Sequence, residues 1–251
     1  MEKLKGKKCS IISVGFYPGN ALQALAKTLP IDVVFLVNSE PKNERAMRAM
    51  EDIHKFINEF SSKVGSEVTT IDLWLDPKDG IVNAVARLRS TIEEYAPCSI
   101  TIGMAGGLRW LSATLMFLAL TLSSVGKYVG VTVDYVYTML EEESRSIRTL
   151  FRTIEERTIP WPTIPKLVDL TFDEYNVLKL IGLGKHRAKD IHSELNKNCK
   201  RPSGCISMAT IQRILVKLVK KGLISYEKRG KAHYYDLKPL GTMIIGKLKT
   251  T

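Results

Sequence analysis

Two glycine-containing turns, each following an apolar strand-like segment, carry the groups best suited to binding an anion. The first turn is Gly15-Phe-Tyr-Pro-Gly-Asn20, and the second is Gly103-Met-Ala-Gly-Gly-Leu-Arg109. Glycines let a phosphate or ribose approach the backbone, a helix that begins after each turn offers unpaired N–H groups, and Arg109 can hold an anion through paired hydrogen bonds. The alternative is that the glycines only make tight connections and that Arg109 pairs with a carboxylate.

The segments around these turns alternate between strand and helix patterns. The predicted strands are Ser10–Gly15, Ile31–Val37, Val68–Leu75, Cys98–Gly103 and Val129–Tyr137. The predicted helices are Ala21–Thr28, Asn43–Phe60, Asp79–Tyr95, Leu108–Val125 and Ser144–Arg157. This βαβα succession predicts an α/β fold with an open, doubly wound, mostly parallel, Rossmann-like sheet.

Doubly wound sheets bind ligands beyond the carboxyl ends of their strands, where both turns and the loop after the second strand would lie. The dinucleotide fingerprint G-x-G-x-x-G is absent from the first turn, and no acidic residue closes the second strand, so NAD binding is disfavoured. The residues expected to bind a ligand at this edge are Gly15, Phe16, Gly19, Asn20, Asn38, Ser39, Gly103, Met104, Ala105, Gly106, Gly107 and Arg109.

All of the excess positive charge lies in the last third of the chain. The whole chain has 37 Lys+Arg and 26 Asp+Glu, a formal net charge of +11. Residues 166–251 hold 18 of the basic and 7 of the acidic residues, whereas residues 1–165 hold 19 of each. A strongly basic segment indicates a nucleic-acid partner, because neutralising phosphates releases counterions; the alternative is a solvated, lysine-rich surface.

The charge changes beside Thr158–Pro165, where three prolines in eight residues favour an extended connector. Beyond it, the capping-box pattern Thr171–Glu174 opens a helix that ends near Ile181. Two further helices and a β-hairpin are predicted at Ala188–Leu195, Ser207–Lys221 and Ile224–Leu237. We therefore expect a sensing domain over residues 1–140, a helix and Pro-rich linker over 141–165, and a second domain over 166–251.

Three helices followed by a hairpin, in this order and in a basic domain, resemble the bacterial and archaeal winged helix-turn-helix family. The resemblance implies that the third helix enters the major groove of double-stranded DNA while the hairpin tip reaches backbone phosphates. The alternatives are a solvated lysine-rich helix end and a winged domain that binds a protein. The expected DNA-binding residues are Ser207, Thr210, Gln212, Arg213, Lys217, Lys228, Arg229 and Lys231.

The cysteines and the apolar segments point to a soluble, cytoplasmic protein without a targeting segment. The charged N-terminus does not read as a signal peptide, and the longest apolar stretch, about Trp110–Val125, contains five Ser or Thr residues, which favours a buried helix or an interface. Cys199 and Cys205 flank a polar loop. Their spacing allows a disulfide, and the alternative is that both are free thiols. Four potential metal ligands lie within 20 residues of one another, but their spacing does not match a recognised zinc motif. They are His186, His192, Cys199 and Cys205.

The domain order as a whole resembles the CRISPR-associated Rossmann-fold (CARF) winged-helix regulators of archaea. Gly107-Leu-Arg109 matches the Gly-x-Arg signature of that family, whereas Ala105 stands where the family often has threonine. The resemblance implies a homodimer in which two paired sheets bind one cyclic oligoadenylate, namely cyclic tetra-adenylate. It also implies that the protein uses no other cofactor and controls CRISPR loci.

Two rival functions remain open at this stage. Some relatives of this sheet cleave the ring nucleotide, but the first domain has one histidine, His54, and no catalytic triad, paired carboxylates or metal cluster stands out. The other rival is a regulator that senses a different nucleotide.

Overall fold

The structure, a computed structural model, describes residues 6–139, 158–161, 163–197 and 205–246. It divides into two compact units, Met1–Leu167 and Val168–Thr251. The helix predicted over Ser144–Arg157 lies outside the described residues, as does Cys199.

The first unit contains a six-stranded sheet with helices between its strands. Its strands are β1 (Lys7–Ser13), β2 (Val33–Ser39), β3 (Thr69–Leu75), β4 (Cys98–Met104), β5 (Val131–Met139) and β6 (Thr158–Pro160). Its helices are α1 (Gly19–Thr28), α2 (Glu44–Val64), α3 (Gly80–Glu93) and α4 (Arg109–Val129). The strand order is β3-β2-β1-β4-β5-β6, and every pairing is parallel except that of β6 with β5. The predicted α/β class and mostly parallel sheet are confirmed.

Burial explains why these segments form a covered sheet. All seven residues of β2 are buried, as expected for a central parallel strand with helices on both faces. Helices α1 and α2 place a small-residue and aliphatic stripe against alternate residues of β1 and β2, including Ile12 and Leu36. Among the described helices, α4 alone is long and apolar enough to cross a membrane, but 56% of its apolar window is buried within the protein.

The connector was predicted as extended chain, and the structure makes its first part a strand. Thr158–Pro160 forms β6, which pairs antiparallel with the end of β5. The proline lies at an edge strand, where a missing backbone N–H is tolerated. No strand pattern marks this segment in the sequence, because three residues are too few to show an alternation of apolar and polar side chains.

The second unit contains the three expected helices and the hairpin. Its elements are α5 (Phe172–Gly182), α6 (Ala188–Asn196), α7 (Met208–Lys220), β7 (Ile224–Arg229), β8 (Ala232–Leu237) and α8 (Pro239–Ile245). The capping box is present, since Thr171 Oγ1 accepts from Glu174 N at 3.2 Å and Glu174 Oε2 accepts from Thr171 N at 2.9 Å. Helix α8, which was not predicted, buries Met243, Ile244 and Ile245.

The cysteines fall into two groups. Cys9 and Cys98 are buried free thiols on the neighbouring strands β1 and β4. Cys205 is disulfide-bonded. Within the described ranges, no group of three or more His, Cys, Asp or Glu side chains could hold a metal ion.

Candidate functional site

The strand order creates a switch point between β1 and β4. These two strands are parallel neighbours, with β2 and β3 on one side and β5 and β6 on the other. The connection after β1 therefore runs to one side of the sheet, and the connection after β4 runs to the other. A crevice opens between such diverging loops at the carboxyl ends of the strands, and ligands of this fold bind there.

The loops after β1 and β4 touch through their glycines. A Cβ added to Gly15 would lie 2.8 Å from Gly107 N, and one added to Gly107 would lie 2.9 Å from Val14 O. Gly107 has a φ of +91°, a conformation that side chains disfavour. Gly106 N also donates to Ser13 Oγ at 3.4 Å. The two glycine turns thus pack directly against each other. A larger residue at Gly15 or Gly107 would require the backbone to move.

A tryptophan ties the loop after β2 to the start of α4. Trp110 Nε1 donates to Ser39 Oγ at 3.2 Å, and the Ser39 hydroxyl donates to Glu40 O at 2.9 Å. Ser39 is buried, so this contact fixes the position of α4 relative to β2. All three loops at the carboxyl ends of β1, β2 and β4 are therefore held together.

These loops enclose a cavity of about 190 Å³. Five residues predicted for the ligand site line it: Gly15, Phe16, Asn38, Ser39 and Gly107. The lining also includes four residues that the sequence analysis did not select: Glu40, Pro41, Asn43 and Leu108. Phe16 and Leu108 are each 44% exposed, so both present apolar surface at the mouth. Among the described residues, no lysine or arginine lines the cavity.

Positive charge lies next to the cavity rather than in its wall. Arg109 is the first residue of α4 and is exposed, and it makes no hydrogen bond or ion pair with another described residue. The N-caps of α4 and α1, Leu108 and Pro18, provide no side-chain hydrogen bond. Both helix starts therefore leave N–H groups available to an anion, and Gly19 and Asn20 open α1 outside the cavity lining.

Three further predicted residues lie beneath the loops. Gly103 leaves room for the Tyr137 side chain, since an added Cβ would lie 2.5 Å from the Tyr137 hydroxyl. Burial raises the pKa of that phenol, so it stays protonated at neutral pH. Met104 and Ala105 are buried in the core. The structure thus gives these three residues packing contacts and leaves their side chains out of the cavity wall.

The second candidate site lies on α7 and the hairpin. Asn196 at the end of α6 clamps the chain just before α7, because its side chain exchanges two 2.9 Å hydrogen bonds with the backbone of Ile206. Ile211, Ile214, Leu215 and Leu218 are buried. The opposite, exposed face of α7 carries Ala209, Gln212, Arg213, Val216, Lys217 and Lys220.

The predicted DNA-binding residues differ in whether their polar groups are already bonded. Ser207 caps α7 by accepting from Thr210 N at 3.1 Å, and its hydroxyl also bonds that of Thr210 at 2.9 Å. Arg229 bonds Glu227 at 2.9 Å and lies over the Tyr234 ring, and its pKa is raised chiefly by the Glu227 hydrogen bond.

The remaining predicted residues are exposed and make no hydrogen bond or ion pair with another described residue, although the charge of Lys217 also helps to lower the pKa of Glu174. They are Gln212, Arg213, Lys217, Lys228 and Lys231.

Comparison with known proteins decides the family. The model of the Csa3 CRISPR-associated Rossmann-like domain matches residues 8–148, more than half of the chain. The chain belongs to the Csa3 family. The penicillinase repressor family, whose members have a winged-helix fold, matches residues 170–238. No curated protein matches the chain significantly.

Solved structures similar to this Csa3-family chain include a complex of hsRosR-S4 and the protein Can2. A complex of hsRosR-S4 (vng0258) has 25% identity and a TM-score of 0.27 and covers 31% of this chain. Can2 from Sulfobacillus thermosulfidooxidans, in complex with cyclic tetra-adenylate, has 10% identity and a TM-score of 0.36 and covers 95% of this chain. The chain covers 65% and 63% of these two proteins, slightly under two thirds of each. At these scores, neither similarity supports an argument about the site.

The two family matches establish a coarse description. This Csa3-family protein joins a CARF-type Rossmann-like domain to a winged-helix domain of a repressor family, which indicates a regulator. His54, the histidine considered for catalysis, lies in the middle of α2 and pairs with Asp72 of the edge strand β3 at 2.9 Å. Neither residue lines the cavity at the switch point.

Sequence reasoning missed Trp110 and Glu40, although each has a local signal. Trp110 directly follows Arg109 in the first turn of α4, so its side chain starts at the same sheet edge. Glu40 directly follows Ser39 at the end of β2. Carboxylates and indoles at such positions also occur on solvated loops, and only the packing of three separate loops brings these two residues to one place.

Proposed function

We propose that this Csa3-family protein is a ligand-responsive transcriptional regulator of CRISPR-associated loci. It acts in the cytoplasm as a homodimer, binds double-stranded DNA through α7 and the hairpin, and binds cyclic tetra-adenylate at the switch point of its first unit. The observation that carries the proposal is Arg109, which has no hydrogen-bond or ion-pair partner among the described residues and lies beside two helix starts without a side-chain cap. The other unit presents exposed cations on a recognition-type helix.

The chemistry of the switch point suits a phosphate-linked ligand. Helix N-termini carry partial positive charge, and the guanidinium of Arg109 can donate two parallel hydrogen bonds to one phosphate. One protomer provides a single Arg109, whereas a cyclic tetranucleotide has phosphates arranged around a two-fold axis. Two protomers related by the same axis would place an Arg109 on each side of the ring. The exposed Phe16, Tyr17 and Leu108 around these loops would be covered in the process.

Helix α4 provides a physical connection between the ligand loops and the connector. Its first turn carries Arg109 and bonds Ser39 through Trp110. Further along, Ser123 Oγ donates to Ile164 O at 3.1 Å, and Leu120 O accepts from Leu167 N at 3.2 Å. A ligand that moves the start of α4 would therefore move the connector that leads to the second unit.

A DNA-binding assay with and without ligand tests the proposal. A duplex selected from a random library by the full chain should change its affinity about 5- to 150-fold when cyclic tetra-adenylate is added, as measured by fluorescence anisotropy. The recovered ring should be intact by chromatography. Equal affinity in both conditions, or a cleaved ring, would contradict the proposed regulator.

The variant Ser123→Ala tests whether the contact between α4 and the connector transmits the effect of the ligand. It removes the hydrogen bond to Ile164 O, so we expect both binding reactions to persist while the effect of the ring on DNA affinity shrinks. Ser112→Ala, on the same helix and without a bond to the connector, is the matched control. An undiminished effect in Ser123→Ala would exclude this path.

Arg213 is expected to make the largest single contribution to base recognition. It is exposed and unpaired in the middle of α7, and an arginine can bond the O6 and N7 of guanine together. Arg213→Ala should cost about 1–3 kcal/mol in operator binding and relax the preference at one base pair. Lys179→Ala removes the same charge from α5 and should leave base preference unchanged. Identical sequence selection by wild type and Arg213→Ala would contradict the assignment.

The glycine contact at the switch point gives another test. Gly15→Ala places a Cβ 2.8 Å from Gly107 N, so one loop must shift and the anion donors move with it. We expect the affinity for cyclic tetra-adenylate, measured by calorimetry, to fall about 10- to 100-fold. Gly19→Ala is the control, because no atom lies within 4 Å of its added Cβ. Equal losses in the two variants would show that the loop contact is unimportant for binding.

A further inference from the structure

The cavity at the switch point has the composition of a site for a nucleobase rather than for a phosphate. Of the side chains that the structure describes, its lining contains the carboxylate of Glu40 and no basic group. A carboxylate repels a phosphate, but it accepts a hydrogen bond from an amine. The volume of about 190 Å³ is also smaller than pockets that hold whole drug-sized ligands, about 300–1,000 Å³. The cavity therefore suits one ring system of a larger ligand.

A hydrogen-bond donor without an acceptor lies in the same wall. Asn38 is 4% exposed, and its Oδ1 accepts from Ser39 N at 2.8 Å, whereas its Nδ2 has no partner in the described structure. A buried donor left unpaired costs free energy, about 1–3 kcal/mol for a neutral group. An acceptor atom of a bound ligand would remove that cost. The Asn38 side chain is thus oriented by one bond and ready to make another.

Glu40 is held in place in a similar way. Its Oε2 accepts from Lys42 N at 2.9 Å, and its backbone N–H donates to Leu75 O at 2.8 Å. One carboxylate oxygen is already bonded to the loop, so the other can accept from a ligand without the side chain having to be ordered first. Phe16, Pro41 and Leu108 supply apolar surface to the same cavity, as a planar ring requires.

An amine donor beside a ring-nitrogen acceptor is the pattern of adenine, while guanine presents acceptors at the equivalent positions. Building on the proposed function, we propose that each protomer binds one adenine of the ring nucleotide in this cavity. Glu40 accepts from the exocyclic amine, and Asn38 donates to the ring nitrogen N7 on the same edge of the base. The phosphates stay outside the cavity at Arg109 and the helix starts, which separates recognition of the base from recognition of the charge.

Two rings of equal size and charge test this assignment on the full chain. Cyclic tetra-inosinate carries an oxygen in place of each exocyclic amine of cyclic tetra-adenylate, so the position that faces Glu40 changes from a donor to an acceptor, while N7 is the same in both rings. Wild type should bind the adenylate ring about 10- to 100-fold more tightly in calorimetry. In Glu40→Gln, the new amide group can donate to the inosine oxygen, so the ratio of the two affinities should fall to near one.

The ratio is the informative quantity, because the loss of a negative charge in Glu40→Gln acts equally on two rings of equal charge and cancels in the ratio, which leaves the effect of the hydrogen bond to the base. Glu44→Gln removes the same charge from an exposed position on α2 and should keep the wild-type ratio. Asn38→Asp keeps the acceptor for Ser39 N but lacks the donor, and it should weaken binding of the adenylate ring.

The possible outcomes separate this inference from the proposed function. If wild type binds both rings equally, or if Glu40→Gln keeps the wild-type ratio, the base assignment is wrong while the anion site stands. If wild type binds neither ring, the proposed function fails and the base assignment fails with it.

Discussion

Arg109→Ala is expected to weaken binding of cyclic tetra-adenylate about 10²- to 10⁴-fold. Arg109 is exposed at the first position of α4 and makes no hydrogen bond or ion pair with another described residue, so removal of its side chain breaks no such bond among them. A hydrogen bond to a charged group contributes about 1.5–3 kcal/mol, and the proposed dimer brings two copies to one ring. Isothermal titration calorimetry measures the change directly.

Arg48→Ala is the matched control for this result. Arg48 is also exposed and lies on α2, where it makes only an i,i+4 ion pair with Glu44 at 3.4 Å. Its removal changes the net charge equally but leaves the switch point intact. Unchanged ring affinity in Arg109→Ala, with both variants folded by circular dichroism, would dismiss the assigned anion site.

The second large effect concerns stability of the winged-helix unit. Lys221 Nζ bonds the Glu174 carboxylate at 2.7 Å and Asp169 O at 2.7 Å. Glu174 is 3% exposed in its side chain, so Lys221→Ala leaves a buried carboxylate without its cation. Removing one partner of a buried pair costs about 3–5 kcal/mol, and the partial exposure of Lys221 reduces this to about 2–4 kcal/mol.

Thermal and urea unfolding of the full chain measure this loss in the transition of the second unit. Lys220→Ala, one residue earlier, removes an exposed lysine and should change stability by no more than about 0.5 kcal/mol. Glu174→Gln in the Lys221→Ala background removes the isolated charge and should restore part of the stability. Equal stability of Lys221→Ala and wild type would contradict the importance of the pair.

The same pair predicts an acid dependence. Burial raises the pKa of the Glu174 carboxyl, but hydrogen bonds from Lys221 and from the Thr171 backbone outweigh burial, so the pKa lies below its ordinary value of 4.5. The unfolded chain therefore binds more protons than the folded chain, and this part of the stability is present above pH 4.5 and is lost as the pH falls through the folded pKa. Wild type and Lys221→Ala should differ most near neutral pH and converge in acid.

The free cations of the second unit could not be identified from sequence alone. Lys221 and Arg229 have the same formal charge as Lys217 and Arg213, and the alternative of a solvated helix end applied to Lys217, Lys220 and Lys221 alike. The structure shows Lys221 bonded to Glu174, 47 residues away, and Arg229 bonded to Glu227, two residues earlier on the same strand β7. Whether a basic side chain is available to DNA depends on these contacts, and the contact of Lys221 is one that no local pattern records.

At the carboxyl ends of the strands, too, the sequence indicated the loops but not the role of each residue. The sequence indicated the loops after β1, β2 and β4 because the carboxyl ends of parallel strands meet at one edge, and the sheet order confirms that these strands are neighbours. The sequence could not distinguish Gly103, which makes room for Tyr137, from Gly107, which lies in the loop contact. Both residues fit a glycine turn equally well.

The sequence by itself determined the α/β class, the winged-helix succession, the capping box and the separation of charge. These features depend on the period of apolar residues, on side chains a few positions apart, or on simple counts, so neighbouring residues suffice to encode them. Tertiary structure alone decided the bond of Trp110 to Ser39, the place of Glu40 in the cavity, the strand β6 and the burial of Glu174 against Lys221. Each of these joins residues that are far apart in the chain, and their distances are set by how whole strands and helices pack.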